Sequence, residues 1–281
     1  MSKEAPRSKN QAPEKLQILK LQFESPSNLL KLPVVLVLVL VSGFFVAGCA
    51  TKGRQQSKAA TPVSASAPTV PKTNSYEAMI QKAAAEPMAA VEGTGWKPMF
   101  DGRTLAGWQQ TDFSGHGQVY CQSGLMLLDR GDSLTGINWT NDMSKTDYEV
   151  VLDAMKLQGS DFFCGLTFPV QDTYCSLILG GWGGTVVGLS SIEGEDASEN
   201  ETTRFIKFET GQWYRVRLRV TTAKIEAWLD DKQIIDLKTE GMHIALRFGE
   251  IEMSKPLGIA SYETATALRG IRTRRLEAGK N

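Results

Sequence analysis

From Trp96 onward, apolar and polar positions alternate with a period of two. In Trp213–Thr221 the side chains of Tyr214, Val216, Leu218 and Val220 point one way and those of Arg215, Arg217 and Arg219 the other. Successive residues of a strand face opposite sides, so such a run has one face for a core and one for water. Ile225, Ala227 and Leu229 repeat the pattern, leaving Glu226 and Trp228 opposite, with Glu226 expected across from an arginine of the strand before. Asp230 and Asp231 then turn the chain. The same patterning predicts strands at Gln118–Gln122, Leu125–Asp129, Tyr148–Leu157, Phe162–Phe168, Thr173–Gly180 and Thr185–Ile192. Further strands are expected at Arg204–Phe208, Lys224–Leu229, Gln233–Leu237, Leu257–Ser261 and Ala267–Arg274. No long amphipathic helix intervenes. Many short strands with turn signals between them predict an all-β fold of two packed antiparallel sheets.

Ahead of Trp96 the pattern is different. Val34–Gly48 carries no charge and follows a net-basic segment ending at Lys31. Its length suits a secretory apolar region of about 7–15 residues better than a membrane span of about 20. It closes in VAGCA, residues 46–50, which resembles the lipobox of bacterial lipoproteins. That resemblance implies a diacylglycerol on Cys49, cleavage before it, and attachment to the membrane through the lipid. Ala50, standing where Asp would retain a lipoprotein, implies an outer membrane if the cell has one. The alternative is an uncleaved signal anchor, and either way the bulk of the chain is exported to the cell envelope. Residues 49–74, rich in Ala, Ser, Thr, Pro, Lys and Gln, form a disordered linker by composition. Ser75–Ala90 reads as a short helix with Tyr76, Met79, Ile80 and Ala83 on one stripe, ended or kinked by Pro87. The expected organisation is a signal segment (1–48), linker (49–74), helix with linker (75–95), β-sandwich (96–276) and tail (277–281).

Charge and residue counts narrow the function. Lys and Arg total 31 and Asp and Glu 31, so there is no net charge, and no basic stripe points to nucleic acid. The chain has 2 histidines, His116 and His243, which disfavours a histidine-rich metal centre. Cys49, Cys121, Cys164 and Cys175 form no C-x-x-C pair, so zinc has no support. Cys164 and Cys175 fall on consecutive strands and are read as a cross-strand disulfide or as two buried thiols. No cofactor motif is evident.

Candidate chemistry is sparse. TYCSLILGGWGGTVVGLSSI, residues 173–192, is two strands around a glycine-rich turn that carries Trp182, either a face for a sugar ring or a packing residue. Asp161, Glu193 and His243 are the candidate acid–base residues; their plain alternatives are a turn aspartate, a solvated loop and the first residue of a strand. The acidic loop Glu193–Glu201 lacks EF-hand spacing, so calcium there competes with simple solvation. Arg204 either orients a sugar hydroxyl or pairs with Glu201, and His116 reads as a turn residue.

The segment MFDGRTLAGW, Met99–Trp108, resembles the opening of the 3-keto-disaccharide hydrolase domain family. Phe100, Asp101, Gly102, Arg103, Thr104, Leu105, Gly107 and Trp108 match in order, followed by Asp147–Tyr148, Gly165, Tyr174 and Gly211–Tyr214. The resemblance implies a concanavalin A-like jelly roll, often exported and lipid-anchored, that cleaves 3-keto-glycosides. In that reaction a C3 ketone acidifies the C2 proton, a base removes it, the C1 glycosidic oxygen leaves, and water adds. Such chemistry needs a base and either hydrogen-bond donors or a divalent metal for the enolate oxygen, not the paired carboxylates of ordinary glycosidases. Pro169, Cys175, Leu177 and Gly180 stand where the family pattern, as aligned, is polar. Two readings follow: an exported enzyme acting on 3-keto-glycosides, or a non-catalytic carbohydrate-binding or envelope interaction module.

Overall fold

The computed structural model describes residues 75–277; the expected signal segment, Cys49 and the expected linker lie outside them. Two antiparallel sheets pack face to face. The first runs β13 (Lys232–Lys238), β12 (Lys224–Leu229), β11 (Trp213–Val220), β6 (Tyr148–Gly159), β15 (Thr264–Arg275), β4 (Leu125–Leu128) and β3 (Val119–Gln122). The short β1 (Lys97–Pro98) also pairs with β15. The second runs β10 (Arg204–Phe205), β9 (Val186–Ser190), β8 (Thr173–Gly180), β7 (Cys164–Val170), β14 (Gly258–Tyr262), β5 (Leu134–Trp139) and β2 (Trp108–Gln110). No helix among the described residues is long and apolar enough to cross a membrane.

Alternation decides the interior. Val216, Leu218 and Val220 of β11 and Leu152 and Ala154 of β6 meet Leu166 and Phe168 of β7, Leu177 and Leu179 of β8, and Val187 and Leu189 of β9. Tyr148 is fully buried, and its hydroxyl crosses the sandwich to donate to the Pro169 carbonyl at 2.7 Å. The motif around Gly102 builds the way into β2. Asp101 accepts from the Thr104 and Arg103 backbone N–H groups and the Thr104 hydroxyl, which holds its carboxyl down at about 2. Trp108 is buried, donates to the Met99 carbonyl at 2.7 Å and packs edge-on against Trp139. The residues that carry the family resemblance here thus shape the fold.

Three strands were invisible in the pattern: β1, β2 and β5. LTGINW, residues 134–139, carries Gly136 and Asn138, residue types depleted in strands. Gly136 is there for closeness: a Cβ would stand 2.8 Å from the Phe113 ring and 2.9 Å from the Ile259 carbonyl. The expected strand Arg204–Phe208 shortens to Arg204–Phe205, and the helix α1 (Ser75–Ala85) stops two residues before Pro87. Cys164 lies opposite Leu179 and Cys175 opposite Phe168, so the two cysteines do not meet. Both are free thiols in the core, pushed up to about 12 by burial.

The arginine row of β11 is not a solvated face. Helix α1 lays Ile80 and Ala83 on Leu125, Leu127, Met155, Leu157, Ala265 and Ala267 of the first sheet's outer side. The chain beyond it crosses that same face as a strap, residues 86–96. Arg269 donates to the Glu86 and Pro87 carbonyls, Arg215 to those of Ala89 and Ala90, and Arg274 to that of Thr94. Asp153 pairs with both Arg215 and Arg269. Glu149 is 0% exposed and accepts from Arg217 at 2.6 Å, Arg219 at 2.7 Å, and Arg274. Glu226 faces Arg219 in register, with its carboxylate 3.6 Å away.

Candidate functional site

The outer face of the second sheet is different: it carries small and hydroxyl-bearing residues. With Leu166, Leu177 and Leu189 turned inward, their neighbours Thr167, Ser176 and Ser190 share one outward row across β7, β8 and β9. Gly165, Ile178 and Gly188 form the next row, continued by Ala260 and Gly136. Small side chains let a cleft of about 290 Å³ open over this floor.

Aromatic rings wall it. Phe162 and Tyr262 stack on each other, centroids 5.9 Å apart. Trp182 rises from the turn joining β8 to β9 and Phe248 from the loop before the 3₁₀ turn Glu250–Ser254. Trp182 is 41% exposed, Tyr262 37% and Phe248 94%, so three of the six exposed large apolar side chains among the described residues gather at one rim. Aromatics with one wet side are the residues that bind amphipathic rings.

Polar groups cluster at the bottom. The Thr167 and Ser176 hydroxyls lie 2.8 Å apart. Ser190 donates to Asp196 Oδ1 at 3.0 Å, and Asp196 Oδ2 is 3.4 Å from Arg247 Nη1. Arg247 lies 6.0 Å from the Trp182 ring centroid. Glu250, on the rim, accepts from the Ser114 backbone N–H at 3.0 Å. Among the described residues no group of three or more His, Cys, Asp or Glu side chains is placed to hold a metal ion.

Residues 95–272 match the family model of the 3-keto-alpha-glucoside-1,2-lyase-like domain. The chain belongs to this family. No curated protein matches it. Among solved structures, a candidate glycosyl hydrolase of Parabacteroides distasonis shares 12% identity over 65% of this chain and 94% of its own, with a TM-score of 0.44. The carbohydrate-binding module CBM66 of Bacillus subtilis shares 12% over 60% and 95%, TM-score 0.40. Domain 4 of the arabinanase AbnA of Geobacillus stearothermophilus, solved with arabinotriose, shares 16% over 60% and 82%, TM-score 0.41.

In this lyase-like domain the residues singled out from the sequence separate. Trp182 lines the cleft. Asp161 lies beneath it: its carboxylate accepts from Phe162 N–H at 2.8 Å and from Gly183 N–H at 2.9 Å. Glu193 and His243 meet each other instead, the Glu193 carboxylate accepting from His243 N–H at 2.6 Å, and neither lines the cleft. Arg204 donates to the Glu201 and Thr203 carbonyls at the sheet edge, a backbone contact rather than an ion pair with the Glu201 carboxylate.

Cys175 and Leu177 face the core and are 0% exposed. The cleft-facing positions of β8 are Ser176 and Ile178, because a slip of one residue moves every side chain to the opposite face. Their apolar character therefore removes nothing from the cleft. Burial pushes the Cys175 thiol up to about 12, so it offers no thiolate for chemistry. Phe162, Ser190, Arg247, Phe248 and Tyr262 were not singled out in the sequence, and Asp196 only as a member of the acidic loop weighed for calcium. The one signal available was Phe248 between Arg247 and Gly249, an aromatic at the tip of a loop.

Proposed function

We propose that this lyase-like domain, a concanavalin A-like jelly roll, binds carbohydrate in the cleft of its second sheet, and that the protein is exported and lipid-anchored through Cys49. One observation carries the binding: ring faces of Trp182, Phe162 and Tyr262 stand around a floor holding the Ser176 and Ser190 hydroxyls. A pyranose has the matching surfaces, an apolar C–H face for the rings and hydroxyls for the serines. At about 290 Å³ the cleft sits at the small end of the roughly 300–1,000 Å³ range of ligand sites, which favours a short ligand. Titration calorimetry of the purified protein with methyl α-glucoside, trehalose and their 3-keto forms tests it. Absence of binding to all of them defeats the proposal.

A second reading is that the cleft cleaves 3-keto-glycosides, and the placement of Asp196 favours it. Its carboxylate joins Ser190 and Arg247, both of which line the cleft. As base, Asp196 takes the C2 proton and the electron pair passes to the C3 oxygen as an enolate. The enolate collapses, forming the C1–C2 double bond as the C1–O bond breaks, protonated Asp196 returns its proton to the departing aglycone oxygen, and water then adds across the double bond. Arg247 supplies positive charge for the enolate oxygen at C3. Aglycone release from a 3-keto-glucoside, abolished by Asp196→Asn with binding retained, is the expected result. Binding of the 3-keto sugar without turnover assigns the domain to the non-catalytic class.

A further inference from the structure

We infer that Asp161 is a positioning residue that holds Trp182 as the wall of the cleft. Trp182 occupies the left-handed region, φ 48° and ψ 55°, which a side-chain-bearing residue enters only where its surroundings hold it there. Gly180, Gly183 and Gly184 flank it with φ of 80°, 85° and 106°, so the turn has no stiffness of its own. Asp161 provides that hold. One carboxylate oxygen accepts from Phe162 N–H and the other from Gly183 N–H, spanning 22 positions of sequence to reach the residue after the tryptophan. Asp161 is itself fixed from behind, because the Thr264 hydroxyl accepts from its N–H and donates to its carbonyl at 3.2 Å in both bonds. The same carboxylate thereby sets Phe162, whose ring stacks on Tyr262, and Trp182 opposite. One side chain gauges the cleft by fixing the backbone under two of its rings. With both oxygens committed to backbone donors, Asp161 serves as a clamp.

The inference leans on the carbohydrate reading only for its affinity readout. The protein carries 6 tryptophans, so it is labelled with 5-fluorotryptophan and the Trp182 fluorine resonance is assigned by its loss in Trp182→Phe. Asp161→Asn keeps one acceptor and presents N–H to the other donor. It is expected to shift or broaden that resonance alone and to weaken methyl α-glucoside binding at least tenfold, as Trp182→Ala does. The double variant Asp161→Asn/Trp182→Ala is expected to bind no more weakly than Trp182→Ala, because the two act as one unit. An unchanged Trp182 resonance, or fully additive losses, overturns the assignment. Should Asp161→Asn fail to fold, Thr264→Val loosens the same carboxylate from behind; a Trp182 resonance that stays put in that variant is equally fatal. A wild-type protein that binds no sugar while its Trp182 signal still responds to Asp161 defeats the carbohydrate reading and upholds the positioning role.

Discussion

Replacing Glu149 with glutamine probes the cluster that fastens the strap to the sandwich. Glu149 is fully buried on β6 and accepts from Arg217, Arg219 and Arg274. Glu149→Gln keeps the shape and removes the charge, leaving three guanidinium groups around a neutral amide, with only Glu226 still near Arg219. Breaking one member out of a buried ionic cluster costs about 3–5 kcal/mol. That is a large share of the roughly 5–15 kcal/mol that holds a domain together. At about 2–4 °C per kcal/mol for a domain of this size, the midpoint of thermal unfolding should drop by roughly 6–20 °C. The effect has a definite pH dependence. Burial raises the Glu149 carboxyl pKa, but hydrogen bonds from Arg217 and Arg219 outweigh it and the net shift is downward. A carboxyl depressed in the folded state stabilises above its unfolded value of about 4.3, and that contribution fades as pH falls through the folded value. Urea unfolding of both proteins should therefore differ most at pH 7 and begin to converge only once pH falls below about 4.3. A difference under about 0.5 kcal/mol at pH 7, or one that persists unchanged into acid, refutes the reasoning.

Phe248→Ala should leave stability within about 0.5 kcal/mol, since the ring is 94% exposed, yet weaken sugar binding in calorimetry. Gly136→Ala should destabilise by about 1–3 kcal/mol in urea unfolding, because the new methyl meets the Phe113 ring and the Ile259 carbonyl under 3 Å away. Cys49→Ala should abolish incorporation of an alkyne-tagged fatty acid and release the protein from membranes, both read on gels of cell fractions.

Legibility tracked the range over which each cause acts. The alternation of β11 and β12 is local, and it carried down to the Arg219–Glu226 register. The arginine row was misread because its partners Glu149 and Asp153 lie more than 60 positions away on β6, and the strap that covers it is joined by backbone carbonyls that carry no sequence signature. Strand β5 hid behind Gly136, whose reason is the atom across from it rather than a turn. The cleft suffered most. Its rings come from Phe162, Trp182, Phe248 and Tyr262, four separate places in the chain, and only Trp182 stood in a local context that drew the eye. Asp161 could be picked out as a carboxylate, but its work depends on Gly183 across the sandwich edge, which no spacing rule conveys.

The two outer faces of the sandwich divide the labour. The first sheet takes up the incoming chain: α1 and the strap bury Ile80 and Ala83 and satisfy three arginines that would otherwise crowd one another. The family match begins at residue 95, after α1 and within the last residues of the strap, yet their contacts belong to strands β6, β11 and β15 inside the match. The second sheet is left uncovered where its side chains are smallest, and there the exposed rings collect. Helix α1 and the strap thus join the sandwich on one face, and the cleft opens on the other. Deleting residues 75–94 should therefore unfold the domain or lower its stability by several kcal/mol, through the loss of the Arg215 and Arg269 acceptors, before it changes anything at the cleft. A truncated protein of wild-type stability would show the strap to be ornamental and Asp153 to be satisfied without it.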